Sequence, residues 1–337
     1  MYDVEVRRTG NPPRIATGDA LPAYGVTASG LGKCFGDLWA LRDLDLAVPV
    51  GSVLGLLGHN GAGKTTALRI LTTLSKPTTG SATVAGYDVG AHPGEVRSRI
   101  GVTAQQATVD GLLTSRANLE MVARLHHVPA AEARRRADDL LHQVDLTDAA
   151  EKLAKTLSGG MRRRLDLAAS IISRPSVLFL DEPTTGLDPL SRNNLWEMLR
   201  GLVRDGTTLI LTTQYLEEAD RLADEVVVLD HGRTVAVGSP ADLKARIGGD
   251  RIEVTLSSAE HLEGAAAALL EFASGDAPPA IDRDALHVTA PINEDARLID
   301  IVRALDSANI DALDINRRLA TLDDVFLSLT TKNGEQP

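Results

Sequence analysis

Residues Gly58-His59-Asn60-Gly61-Ala62-Gly63-Lys64-Thr65-Thr66 constrain this chain more than any other stretch. They fit G-x-x-x-x-G-K-[ST], the pattern of a phosphate-binding loop. Backbone N–H groups must converge on a phosphate there, so the loop needs glycines that bend freely and carry no Cβ. Lys64 offers a point charge to the β- and γ-phosphates, and the Thr65 hydroxyl can ligate Mg²⁺. The surroundings agree with this reading. Ser52 to Leu57 is an apolar run that predicts a buried strand, and Thr66 to Leu71 predicts a helix whose N-terminus faces the phosphate.

The rest of the chain supplies what such a loop requires. Val177-Leu178-Phe179-Leu180-Asp181-Glu182-Pro183 predicts a central parallel strand with two carboxylates at its C-terminal end, where ligands bind in open α/β sheets. Asp181 is placed to hold Mg²⁺ through water and Glu182 to polarise an attacking water. Leu157-Ser158-Gly159-Gly160 predicts a helix start with Ser158 as its N-cap and exposed N–H groups, a second anion-binding element. Thr207 to Thr213 predicts a further buried strand ending at Gln214, and Ile100 to Gln106 a strand ending in two glutamines. The side-chain carbonyl of Gln105 can reach Mg²⁺ or a water. Gly186-Leu187-Asp188-Pro189 predicts a turn that leads into a helix from about Leu190 to Val203.

Composition narrows the class. The chain has 337 residues, enough for one large domain and a small one. Its net charge of −11 argues against a nucleic-acid partner held by a basic surface. Cys34 is the single cysteine, so no internal disulfide forms and a reducing compartment is expected. No apolar run approaches the ~18–20 residues of a membrane span, so any membrane function needs another chain to cross the bilayer.

Residues 1–24 read as a flexible leader without a secretory signal, and residues 332–337 as a frayed tail. Short β-structure is expected between Val26 and Val48, with Phe35 and Trp39 between its strands. Each aromatic fits either a base-stacking platform or an ordinary core position, and Phe35 is favoured as the platform. Residues of about 112–172 read as a helical subdomain inserted into an α/β core. Within it, Arg134-Arg135-Arg136 is expected to be a solvated face, and His126 and His127 lack metal-ligand spacing. The composition shifts near Gly248-Gly249. Residues 250–331 alternate strand-like and helix-like pieces, a small α+β accessory domain without a catalytic constellation.

Taken in order, Gly58 to Thr66, Gln105, Leu157 to Gly160, Val177 to Glu182 and Gly186 to Asp188 resemble the ATP-binding subunit of an ABC transporter. Ile100 to Gln105, Leu211 to Asp220 and Thr321 to Leu327 resemble its daunorubicin/doxorubicin-resistance, multidrug-efflux subfamily. The resemblance implies an α/β fold: a P-loop ABC ATPase core over residues 25–249 with a β-subdomain and the helical insert. It implies a head-to-tail homodimer with ATP between Gly58 to Thr66 of one copy and Ser158, Gly159 and Gly160 of the other. Asp188 joins the nucleotide-binding set, and Gln105 senses the γ-phosphate. It further implies an integral-membrane permease partner, a place on the cytoplasmic face of the membrane, and efflux of a drug-like or amphipathic compound. Leu322 to Leu327 then reads either as a permease contact or as packing within its own domain. Two positions depart from common ABC patterns. Gln214 stands where many members have histidine; it can bond a γ-phosphate or orient water but cannot carry a proton. His59 stands where proline is common, and its side chain is expected to point away from the phosphates. The alternatives left open are an ATP-sensing regulatory protein with little hydrolysis, and the same motor exporting a lipid or a self-made metabolite.

Overall fold

Strands that bury both faces set the architecture. In the computed structural model, which describes residues 23–103, 108–246, 250–274, 279–293, 295–318 and 321–325, Val53–Leu57 (β3), Val177–Asp181 (β7) and Thr208–Thr213 (β8) are buried at every position. Near-continuous apolar runs of this kind belong to a parallel sheet covered on both sides. The elements before β8 are, in chain order, Tyr24–Phe35 (β1), Leu38–Pro49 (β2), β3, Lys64–Leu71 (α1), Thr79–Val84 (β4), Tyr87–Asp88 (β5), Pro93–Arg97 (α2), Ile100–Thr103 (β6), Ser115–Leu125 (α3), Ala130–Gln143 (α4), Gly159–Ile171 (α5), β7 and Pro189–Arg204 (α6). After β8 come Leu216–Leu222 (α7), Glu225–Asp230 (β9), Arg233–Gly238 (β10), Pro240–Arg246 (α8), Arg251–Leu256 (β11), Leu262–Leu269 (α9), Ala280–Asp282 (β12), His287–Pro291 (β13), Leu298–Ser307 (α10) and Ala312–Arg318 (β14).

The chain divides into two compact units. One runs to Gln214 and adds Leu229–Thr234; the other comprises Tyr215–Val228 and the residues from Val235 on. In the first unit, β3, β8, β7 and β6 run parallel in that order. Their register sets Leu57 beside Thr213 and Asp181 beside Thr212. The segments that follow β3, β7 and β8 therefore leave the sheet at one edge, its carboxyl end, where open α/β sheets bind ligands. A second, antiparallel sheet has the order β2-β1-β4-β5. Its strands β1 and β2 are 12 residues each, longer than alternation alone indicated, because register shifts near Ala28 and Leu31 interrupt the period-two pattern.

Helices α3, α4 and α5 share an apolar core that includes Leu119, Ala123, Ala133, Ala137, Leu141, Leu165 and Ala168. Ala133, Ala137 and Leu141 are spaced by four along α4, so one face buries and the other carries charge. Arg134 and Arg135 are exposed, as a solvated face requires. Arg136 differs: its guanidinium donates to the Ile172 carbonyl (3.0 Å) and to Glu132 (2.8 Å).

In the second unit, β12-β13-β11-β14 form an antiparallel sheet. Ile252, Val254 and Leu256 alternate on β11 and pack with Leu262, Leu269, Ile301 and Leu305 from α9 and α10. Strand β12 has only three residues and carries too little pattern to be read from sequence. Of the segment Leu322 to Leu327, the described part is a helical turn with Leu322 and Val325 buried. Thr321 and Asp324 cap it reciprocally: the Thr321 N–H donates to the Asp324 carboxylate (3.0 Å) and the Asp324 N–H to Thr321 Oγ1 (3.3 Å).

Candidate functional site: a phosphate loop at the carboxyl edge of the parallel sheet

The loop between β3 and α1 depends on backbone shapes that only glycine supplies cheaply. Gly63 has φ +107°, and a Cβ there would lie 2.6 Å from the Ala40 carbonyl oxygen. At Gly58 a Cβ would meet the Leu229 oxygen, and Ala62 at 2.8 Å. Gly63 occupies the N-cap of α1, so the first free N–H groups of that helix open toward the loop. Gly58, Ala62, Gly63 and Lys64 are buried, His59 and Thr66 half-buried, and Asn60, Gly61 and Thr65 exposed.

Lys64 turns its ammonium back over the loop and donates to the carbonyls of Gly58 (2.5 Å) and His59 (3.1 Å). Burial lowers its pKa from the ordinary lysine value, while the charges of Glu182 and Asp181 pull it back up. A phosphate oxygen can replace either carbonyl as the acceptor, and the lysine is fixed where it would do so.

Asp181 stands across from the loop. It accepts from Thr65 Oγ1 (3.4 Å) on one oxygen and closely from Thr212 Oγ1 on the other. A hydroxyl and a carboxylate on neighbouring elements form a hard, oxygen-only donor set, which suits Mg²⁺. Glu182 is buried to 9% exposure and adopts φ +49°, the left-handed region. That conformation costs a non-glycine residue about 1–2 kcal/mol, and such strain concentrates at functional sites. It persists because the turn is held from several sides. The Glu182 N–H donates to the Thr212 carbonyl (3.0 Å), and Thr185 Oγ1 donates to the Glu182 carboxylate (3.4 Å).

Arg163, on α5, completes the turn. Its guanidinium donates to the carbonyls of Asp181 (2.7 Å), Glu182 (2.9 Å) and Pro183 (3.1 Å). No sequence motif assigns this residue a role, and neither it nor Thr212 lies in a motif that announces these bonds. The available signal for Arg163 was its place one turn into the helix that starts at Ser158.

Of the remaining expected site residues, Ser158 and Asp188 are helix caps. Ser158 caps α5 by accepting from the Met161 N–H (3.2 Å); Ser158 and Gly159 are exposed and Gly160 is half-buried. Asp188 caps α6, accepting from the Ser191 N–H (2.9 Å) and hydroxyl (2.7 Å), and those bonds lower its pKa. Gln214 is exposed directly after β8. Phe35 ends β1 with 56% of its surface exposed and Lys33 5.1 Å from its ring centre, whereas Trp39 is half-buried beside Arg42. Gln105 lies outside the described residues. His59 turns to Asp230, its Nε2 2.9 Å from the carboxylate.

Residues 41–185 match the ABC transporter family. The whole chain also has close relatives. It is 50% identical to the daunorubicin resistance ATP-binding protein DrrA2 of Streptomyces coeruleorubidus, over 94% of this chain and 98% of the relative. This chain belongs to the ATP-binding subunits of ABC transporters, within the daunorubicin/doxorubicin-resistance group. It is 45% identical to the daunorubicin/doxorubicin resistance ATP-binding protein of Streptomyces peucetius, over 92% of this chain and 93% of that one. Among solved structures it resembles a dimeric ATP-binding cassette in a post-hydrolysis state with ADP and Pi. That match has a TM-score of 0.60 and 25% identity over 64% of this chain and 98% of the other. The α/β cassette fold and the ATPase assignment follow from this membership. Among the described residues, no helix is long and apolar enough to cross a membrane.

Proposed function

We propose that this subunit is the motor of an exporter, hydrolysing ATP to drive a drug-like or amphipathic compound through a separate membrane permease. The observation that carries the proposal is the convergence of Lys64, Thr65, Asp181 and Glu182 at one sheet edge, with Glu182 held in a strained backbone conformation. The Gly58–Thr66 amides and Lys64 hold the triphosphate and stabilise the charge that develops on it. Thr65, Asp181 and Gln105 would hold Mg²⁺, which would supply neutralisation of the phosphate charge. Glu182 orients and activates the attacking water, and Gln214 positions that water or the γ-phosphate without carrying a proton. The exposed Phe35 ring offers a platform for the base.

Ser158, Gly159 and Gly160 form an anion-binding helix start whose first two residues are exposed, and the bonds of Ser158 stay within its own helix. This supports a homodimer in which they complete the partner copy's nucleotide site with Asp188 beside them. The nucleotide-binding domain then spans residues 25–249, its helical part about 112–172, and an accessory domain covers 250–331. The subunit works at the cytoplasmic face of the membrane, bound to its permease, with no nucleic-acid partner. The names of the resistance proteins it resembles favour a drug-like cargo.

Replacing Glu182 by Gln tests the reading. Turnover should fall by roughly 10²–10⁴-fold while ATP still binds, leaving an ATP-bound dimer on a sizing column. Wild-type turnover in Glu182→Gln would remove Glu182 from the chemistry. An inactive wild type that binds ATP would favour a regulatory ATP sensor instead.

A further inference from the structure

His59, within the phosphate loop, lies beside the turn Asp230-His231-Gly232 in the first unit. His59 Nε2 is 2.9 Å and His231 Nδ1 2.8 Å from the same oxygen, Asp230 Oδ1. The two rings are 5.0 Å apart, and the three ligand atoms all lie within 4.8 Å of one another.

The hydrogen-bond accounting at His59 does not close with a neutral ring. Its Nδ1 is 2.6 Å from the Asn60 carbonyl oxygen, which can only accept. That nitrogen must carry the proton. In a neutral imidazole Nε2 is then a bare lone pair, yet Nε2 faces a carboxylate oxygen that also only accepts. A second proton on the ring, or a bound cation, closes that contact. A histidine whose Nδ1–H is fixed by a backbone carbonyl and whose Nε2 meets a carboxylate is oriented as metal-binding histidines are. His231 brings a second nitrogen to the same oxygen.

We propose that His59, Asp230 and His231 form a binding site for a zinc-class divalent ion, separate from the Mg²⁺ position at Thr65 and Asp181. Two imidazoles and one carboxylate select zinc, copper or nickel, whereas a hydroxyl and a carboxylate select magnesium. Zinc holds such ligands at about 2.0–2.2 Å in a tetrahedron and completes it with water. Each nitrogen would need to move only about half an ångström farther from Asp230 Oδ1 to reach that spacing. Access is open on one side, since the His231 side chain is 83% exposed while Asp230 is 12% exposed.

The site would act as a clip. The turn already packs against the loop: the Gly232 N–H donates to the Ala62 carbonyl (3.0 Å), and Gly58 leaves no room for a Cβ beside the Leu229 oxygen. An ion joining His59 to Asp230 and His231 ties the start of the phosphate loop to that turn. This inference does not rest on the transport reading, because it concerns binding without nucleotide.

The test is a calorimetric titration of the nucleotide-free full chain with Zn²⁺, in a Cys34→Ser background that removes the one thiol. Saturation at one ion per chain in the micromolar range is expected, with a thermal-stability gain that accompanies it. His231→Asn keeps the turn, since asparagine accepts the left-handed conformation that His231 adopts at φ +46°. It and His59→Ala should each weaken binding at least roughly tenfold. Binding unchanged in both variants would overturn the proposal. So would an absence of saturable binding, with imidazole ¹⁵N shifts showing His59 doubly protonated and indifferent to Zn²⁺.

Discussion

Single positions in the loop and the acidic turn hold conformations that ordinary residues resist, and this makes them the sharpest places to test. Gly63→Ala adds a Cβ at φ +107°, 2.6 Å from the Ala40 carbonyl. The left-handed backbone alone costs at least ~1–2 kcal/mol, and the clash adds to it. A lowered melting temperature together with weakened ATP binding is expected from calorimetry. Gly61→Ala, which meets no neighbouring atom, should cost less, although its φ is +87°. Equal losses in the two variants would show that close approach at Gly63 is unimportant. At this scale much of the site was legible beforehand. Lys64, Thr65, Asp181 and Glu182 belong to local patterns whose chemistry dictates residue type and spacing. What was not legible came from contacts distant in sequence. Thr212 reaches Asp181 across 31 positions, Arg163 reaches its carbonyl across 18, and His59 reaches Asp230 across 171. No local pattern encodes such pairs, and His59 in particular offered only its departure from proline.

Among the elements, helix α5 ties its own start at Ser158 to the acidic turn after β7. Ser158 caps its start, Arg163 grips the 181–183 carbonyls, and buried Asp166 accepts from the Thr108 N–H and hydroxyl, both at 2.7 Å. Burial raises the Asp166 pKa, against the pull of Thr108 and Arg163. These bonds fasten the acidic turn to the helix. Arg163→Met should therefore destabilise the unit by about 2 kcal/mol or more in denaturant unfolding, and lower turnover beyond what that loss of folded protein explains. Unchanged stability would mean that the three carbonyls do not need the guanidinium. Helix α4 offers a pH test. Hydrogen bonds from Arg136 and Arg135 lower the Glu132 pKa to about 2. A depressed carboxylate contributes stability above its unfolded value near ~4.3 and loses it as pH falls through about 2. An NMR titration should find Glu132 still ionised at pH 3; a midpoint near 4.5 would show that the arginines do not hold it. The order of the elements was readable because glycines, prolines and caps punctuate the chain. The lengths of β1 and β2 were not, since register shifts break the alternation that marks a strand.

For the whole molecule, the parallel sheet collects the phosphate loop, the acidic turn and Gln214 at one edge, while Ser158 and Gly159 are exposed at the start of α5. A single copy thus offers two candidate anion-binding elements, the loop before α1 and the start of α5. That arrangement supports a nucleotide shared between two copies, closed by ATP and reopened by hydrolysis. The most direct measurement is the ATPase rate of the purified chain against its concentration, alone and with the candidate permease in lipid. The account predicts a rate that rises faster than linearly with concentration and changes when the permease and a transported compound are added. ATP binding without turnover in either condition, at any concentration, would contradict it.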